Sequence, residues 1–196
     1  MDPEQLAGFA ERLGARLASR VPVRVERPEA RRAAVAALVA PGPEPAILFI
    51  KRRERAGDPW SGQMALPGGF FSPADGSLEV TARRETEEET GIALADAGRL
   101  LGALDDVSPR TPYLPPLVVR PYVFLVPGVL AAQAGPEVET VVWLKVRDLF
   151  DPRLRKPFQL RLPGAVREFE SIVIEGYTIW GLTERVLDQL RAALEG

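Results

Sequence analysis

The sequence predicts one mixed α/β domain with an extra helix at its N-terminus, and three observations predict it. Short apolar runs bounded by proline and glycine recur through the middle of the chain, as buried strands do. Apolar residues fall at helical spacing near both ends. No repeat, low-complexity tract or linker divides the 196 residues, a length sufficient for one substantial core. Strands with helices interspersed early and late make an α/β class.

Leu6, Phe9, Ala10, Leu13 and Leu17 give residues 3–20 the pattern of an amphipathic helix, and Pro22 and Pro28 bound the connector behind it. AAVAALVA (Ala33–Ala40) and AILFIKRR (Ala46–Arg53) read as two strands around the loop PGPEP, although the first run would also suit a helix. GDPWSGQ is a loop, and MALPGGF has the look of a strand. Ser72, Pro73 and Asp75 have the pattern of a capping box with proline at the first helical position. A helix follows over about Ser77–Thr90, and Gly91 stands where a left-handed stop belongs. Strands are expected at RLLGALDD, LVVRPYVFLV and VETVVWL. FQLRLPGAVREFESIVIEGYTIW reads as extended or hairpin structure, and GLTERVLDQLRAAL closes the chain as an amphipathic helix. Trp143 and Trp180 lie in apolar runs and read as core. Trp60 is either a half-buried loop aromatic or a ring on which a base stacks.

A net charge of −2 gives no reason to expect nucleic acid or an anionic membrane as partner. No apolar run approaches the length of a bilayer-spanning helix and the polar N-terminus is unlike a signal peptide, so the expected location is cytoplasmic. Cysteine and histidine are both absent. Disulfides, thiolate nucleophiles, imidazole acid–base chemistry and the usual zinc and haem ligands are thereby excluded. Carboxylate chemistry is left, with or without a hard metal, or a perturbed lysine among Lys51, Lys145 and Lys156.

RRETEEETGI (Arg83–Ile92) concentrates the carboxylates. Glu85, Glu88 and Glu89 stand at i, i+3 and i+4 and project from one helix face, while Glu87 points elsewhere. Each like-charged neighbour pair costs roughly 0.2–0.5 kcal/mol. The negative end of the helix dipole adds roughly 0.3–1 kcal/mol for an anion there. One reading is a solvated acidic face with Arg83 and Arg84 as counter-charges. The other is a site for a hard divalent cation, which turns repulsion into coordination. Three features favour the cation: the unfavourable end of the dipole, three converging carboxylates with no soft ligand, and Gly68-Gly69 upstream, where backbone can approach a ligand.

Gly69, Arg84-Glu85, Glu88-Glu89, Gly91 and Ile92 also match the signature of a known family. The sequence resembles the Nudix hydrolases, whose signature is a glycine, a spacer, then R-E-U-x-E-E-x-G-U with U bulky and apolar. Thr86 takes the first U position. The acidic residue six after the glycine is Asp75, not glutamate, and eight residues rather than seven separate it from Arg84. The longer spacer looks like the coenzyme A pyrophosphatase branch. Upstream, FIKRRERAGDPWSGQMALPGG keeps that branch's Arg53, Gly62 and Pro67-Gly68-Gly69, but has Glu54 for its serine, Asp58 for its second arginine and Leu66 for its phenylalanine. Downstream, EVETVVWL resembles its E-V-x4-W strand and YTIWGLTERVL its I-W-G-x-T segment. The resemblance runs from about Ile47 to Leu190.

It implies a Nudix-type α/β/α sandwich with a mixed central sheet over residues 31–196, and residues 1–30 as a helical extension packed on it. It implies hydrolysis within the diphosphate of a nucleoside diphosphate derivative. Coenzyme A or acyl-coenzyme A would give 3′,5′-ADP and (acyl-)4′-phosphopantetheine. A nucleotide sugar, dinucleotide or oxidised nucleotide is the alternative, and a non-catalytic nucleotide-binding module a third reading that the retained glutamates oppose. Glu85, Glu88 and Glu89 would hold Mg²⁺ or Mn²⁺, Arg84 would pair with a motif glutamate, and Gly69 would let backbone approach the metal shell. Glu88 is the first candidate base, with Glu137 or Glu139 as alternatives from a distant loop. Arg52, Arg53, Arg55 and Arg110 are candidates for the substrate's extra phosphate, since arginine suits bidentate phosphate binding. The expected partner is the small-molecule substrate, with no nucleic acid and no membrane, and a homodimer is left open.

Overall fold

The computed structural model describes residues 8–57, 60–109, 114–162 and 165–195. Its axis is β1 (Arg31–Ala40), which is covered on both faces. Ala34, Ala36, Leu38 and Ala40 pack with Ala82, Ile92, Leu94 and Phe124 on one side. Ala33, Ala37 and Val39 pack with Phe9, Leu13 and Leu187 on the other. A strand buried on both faces needs an almost unbroken apolar run, successive residues facing opposite sides, and this demand overrides the helix preference of its alanines.

Among the described residues, seven strands make one mixed sheet. β2 (Ala46–Arg52) and β4 (Gly68–Phe70) lie antiparallel to opposite ends of β1, and β6 (Leu117–Leu125) runs parallel to it. β3 (Met64–Ala65) and β7 (Val138–Lys145) flank β2, and β5 (Arg99–Ala103) pairs with β6. Helices α1 (Phe9–Ser19) and α5 (Gly181–Glu195) cover one face and α2 (Leu78–Thr90) the other, so the fold is an α/β/α sandwich. β8 (Arg155–Leu162), β9 (Ala165–Ile174) and β10 (Tyr177–Trp180) form a second, antiparallel sheet beside α5. No helix among the described residues is long and apolar enough to cross a membrane.

The connector behind α1 is tied down by one buried carboxylate. Asp106 accepts from the backbone of Val25 at 3.1 Å and is surrounded by Arg24, Arg32 and Arg120, with nearest contacts of 3.1, 3.6 and 2.8 Å.

Several local expectations change. The capping box of Ser72 and Asp75 closes only a single 3-10 turn, Pro73–Asp75, and α2 has its own cap in Ser77, which accepts from the Val80 amide at 3.2 Å. MALPGGF is two short strands, interrupted at Leu66-Pro67, where proline has no N–H for a ladder. α3 (Leu94–Ala97) and α4 (Val146–Leu149) are each four residues, too short to leave a periodic signal. Trp180 is half-buried, stacks on Phe158 at 4.6 Å and lines a cleft instead of joining the core. Trp143 is also half-buried, its indole N–H donating to the Leu130 carbonyl at 3.1 Å. Residues 3–7 of the expected first helix, and Asp58 and Arg110, lie outside the described residues.

Candidate active site

α2 has few large apolar residues and buries Thr81, Ala82, Thr86, Glu89 and Thr90 against the sheet. The small alanines of β1 let the helix come close. Thr86, in a position that calls for an apolar residue, returns its hydroxyl to the Ala82 carbonyl at 2.7 Å, and Thr90 does the same to Thr86 at 2.6 Å. The acidic C-terminus is relieved by capping: the Gly91 amide donates to the Glu87 carbonyl, Gln133 to Thr90 and Gly135 to Glu89. The loop before β7 is thereby strapped across the end of the glutamate helix.

Arg84 organises the carboxylates. Its guanidinium donates to both oxygens of Asp75, at 2.8 and 3.1 Å, and reaches Glu85 at 2.8 Å and Glu88 at 3.0 Å. Asp75 also accepts from the Ser72 amide and the Thr81 hydroxyl. These bonds, Arg84's first, hold its carboxyl well below the usual range. Asp75 thus locks Arg84 so that two nitrogens face the helix, a role that the sequence marked by position but not by partner.

Glu85 lies against β4. A Cβ on Gly69 would stand 2.5–2.6 Å from the Glu85 carboxylate, so the side chain occupies space that only glycine leaves. Burial pushes the Glu85 carboxyl up, and Arg84 works against it. Glu89 is deeper, its side chain 8% exposed. It accepts from the Gly68 amide at 2.9 Å and lies 4.0 Å from Arg52. Burial pushes it up to about 7, against the Gly68 hydrogen bond and with support from the charges of Glu85 and Glu137. Glu88, 59% exposed, points outward. The three glutamates therefore share a helix face but differ sharply in depth.

These side chains open on a cleft of about 1370 Å³. Arg52, Gly69, Glu85, Glu88, Glu89 and Glu137 line it together. Glu137 pairs with Arg55 at 3.0 Å, while Glu139 pairs with Lys51 at 2.8 Å and is not among the lining residues. Arg53 is exposed, and its amide donates to the Glu137 carbonyl at 2.9 Å. Trp60 is half-buried on the cleft wall, edge-to-face with Phe70 at 6.4 Å. Arg83 faces away, bridging Glu79 and the Leu94 carbonyl.

The donor set fits a hard divalent cation. Every side-chain donor is a carboxylate oxygen, backbone approaches closely at Gly69, and Glu89, whose charged form burial disfavours, would gain a favourable charge partner in a cation. The oxygens of Glu85, Glu88 and Glu89 are not drawn into one tight cluster while Arg84 holds two of them. Among the described residues, the carboxylate trio with oxygens all within 4.8 Å is Glu170, Glu184 and Asp188, which surrounds Arg155 at the other side of the cleft.

The sequence matches the NUDIX domain family over residues 30–169. A Nudix hydrolase NudL of Photorhabdus laumondii, itself uncharacterised, is 30% identical over 161 residues, covering 82% of this chain and 83% of the relative. An uncharacterised protein of Schizosaccharomyces pombe is 35% identical over 128 residues, 63% of this chain but only 39% of that longer protein. Among solved structures, a MutT/nudix family protein from Enterococcus faecalis superposes with a TM-score of 0.57 at 19% identity, covering 100% of this chain and 75% of that one. A NUDIX hydrolase from Alicyclobacillus acidocaldarius gives 0.56 at 18% identity, over 86% and 96%. These two show the shared fold.

Proposed function

The chain belongs to the Nudix hydrolase family, and we propose that it cleaves the diphosphate of coenzyme A or acyl-coenzyme A in a divalent-metal-dependent reaction, releasing 3′,5′-ADP and (acyl-)4′-phosphopantetheine. The observation that carries the reading is the set of Glu85, Glu88 and Glu89 around Arg84, facing Gly69 at the mouth of a cleft of about 1370 Å³. That volume exceeds the roughly 300–1,000 Å³ of ordinary ligand pockets and suits a substrate with a long second arm. The I-W-G-x-T segment at Ile179–Thr183, whose Trp180 and Thr183 line the cleft, supports the same branch.

Glu85 and Glu89 would hold the cation, Mg²⁺ or Mn²⁺, with Glu88 completing the set. Bound there, it supplies screening of the diphosphate oxygens and acidification of a water. Arg84, locked by Asp75, keeps Glu85 and Glu88 in their rotamers and separates their charges. Glu89 would bind as the carboxylate, and the Gly68 amide holds its Oε2 at 2.9 Å. Glu88, outward-facing and next to Arg84, would take a proton from water on the cleft side. Glu137 is the second candidate base, because the strap from Gln133 to Gly135 carries it to the same opening. Arg52 sits beside Glu89 and Arg55 beside Glu137, and these together with the exposed Arg53 are the candidates for the substrate's 3′-phosphate. Arg110 joins them on sequence alone.

Product analysis with coenzyme A, NADH and ADP-ribose in parallel tests the reading, each with Mg²⁺, with EDTA, and with Glu88→Gln. The expected result is 3′,5′-ADP from coenzyme A, lost in EDTA and reduced in the variant. Turnover of NADH or ADP-ribose in place of coenzyme A would sink the substrate assignment and leave the metal chemistry standing.

A further inference from the structure

The two sides of the cleft differ in chemistry. α2 packs against β1, β4, β6 and β7, whereas β9, β10 and α5 are set against one another and against β3 and α1. The cleft is lined from both groups. On the second side, Leu160, Phe169, Trp180 and Leu182 present half-buried apolar surface, and the rings of Phe169 and Trp180 lie 5.5 Å apart. Val107 and Val119 continue that surface along the floor toward β4. Around it stand four carboxylates, Glu168, Glu170, Glu184 and Asp188, with Arg155 already shared among the last three.

The four carboxylates disfavour an anionic group there. Among the described residues, the two guanidinium groups on this side are already engaged: Arg155 is shared among three of the carboxylates, and Arg185 donates to the Ser108 carbonyl at 2.6 Å. A polar sugar would leave this apolar wall unpaired with anything but water. We infer that this arm of the cleft takes the apolar acyl chain of an acylated substrate, so that the phosphate-bearing nucleotide lies on the α2 side and the chain runs between α5 and β9. The inference rests on the diphosphatase reading above and adds orientation and chain selectivity to it. Continuity with the glutamate site favours the acyl chain as the occupant: the pantetheine arm attached to the diphosphate would run along the cleft and carry the acyl thioester to this surface. Leu160 and Leu182 set the selectivity, from opposite elements.

Two readouts on the same proteins test this. The first is kcat/KM for acetyl-, octanoyl- and dodecanoyl-coenzyme A beside free coenzyme A, in the wild type, Leu160→Gln and Leu182→Gln, with thermal unfolding as a check on each fold. The second is calorimetric binding of octanoyl-pantetheine, a neutral probe with no phosphate. A rise in kcat/KM of about tenfold over the six methylenes added from acetyl to octanoyl is expected, far below the more than roughly 1,000-fold that complete burial of all of them would give at about fourfold each. Both variants should flatten that gradient and weaken octanoyl-pantetheine binding about fivefold or more, on the same burial scale. A wild-type gradient that is flat, or variants that lower every chain length equally, would overturn the inference. Failure to cleave coenzyme A at all would reject the diphosphatase reading instead. Binding of octanoyl-pantetheine, lost in the two variants, would still support the apolar arm in that case, and its absence would overturn it.

Discussion

Gly69 and Glu85 share one volume: a Cβ on the glycine would lie 2.5 Å from the glutamate's carboxyl carbon. The neighbouring Gly68 is confined differently, since its Cβ would meet the Ala34 carbonyl oxygen at 2.2 Å, and its φ is +155°. Gly69→Ala therefore displaces the far end of a side chain, while Gly68→Ala must move backbone. The expected outcome for Gly69→Ala is a loss of about 100-fold in kcat, the scale of a 1 Å misplacement, with less than about 1 kcal/mol lost in stability. Gly68→Ala should lose several kcal/mol, about 2 or more, through a strained strand pair. Urea unfolding beside steady-state kinetics separates the two.

Asp75 acts through Arg84. Asp75→Asn keeps the shape but gives up the charge that holds the guanidinium in place, and kcat should fall about 10–100-fold, as for other groups that orient a metal ligand. Arg84→Lys should not restore function, because an ammonium cannot reproduce the paired bonds to Asp75 while reaching Glu85 and Glu88. The double variant should be hardly worse than either single one, since both act through the same guanidinium.

Glu89 gives the metal-free protein a pH signature. Its folded-state value of about 7 lies above the ordinary 4.5, so the fold favours the protonated form. Stability from this group is fully present below 4.5 and is lost as pH rises from there to about 7, by about 3 kcal/mol in all. Urea unfolding in EDTA at pH 5 and pH 8 should show that difference shrinking in Glu89→Gln. Mg²⁺ at pH 8 should recover stability in the wild type and not in the variant.

Asp106 has the opposite sign. Burial pushes its carboxyl up, but the Arg120 hydrogen bond, the Val25 amide and the charges of Arg120 and Arg24 outweigh it and hold the group below its ordinary value. Its contribution is present above about pH 4 and is lost as pH falls below that. Asp106→Asn should lower stability at pH 7 by about 2–4 kcal/mol. Limited proteolysis should then cut within residues 20–27, which the wild type protects by tying Val23 and Val25 to this corner.

Much of this was legible from residue order alone. Helix spacing put Glu85, Glu88 and Glu89 on one face, and the apolar runs marked the principal strands of the sandwich, because both signals are local periodicities. What escaped was set by partners distant in sequence. Glu89 is buried and Glu88 exposed although both belong to the same stripe, because Gly68 and Arg52 cover only one of them. Trp180 faces a cleft because β9 and β10 form a sheet of their own. The strap from Gln133 to Gly135, which relieves the helix end and carries Glu137 to the opening, has no periodic mark in the sequence.

The most direct measurement is a calorimetric titration of Mn²⁺ into the metal-free protein at pH 8, for the wild type and for the Glu85→Gln, Glu89→Gln double variant. Saturable binding by the wild type, weakened at least tenfold or lost in the variant, is the predicted result. Equal binding by both proteins would contradict it, and would return the glutamates of α2 to an acidic surface held in order by Arg84.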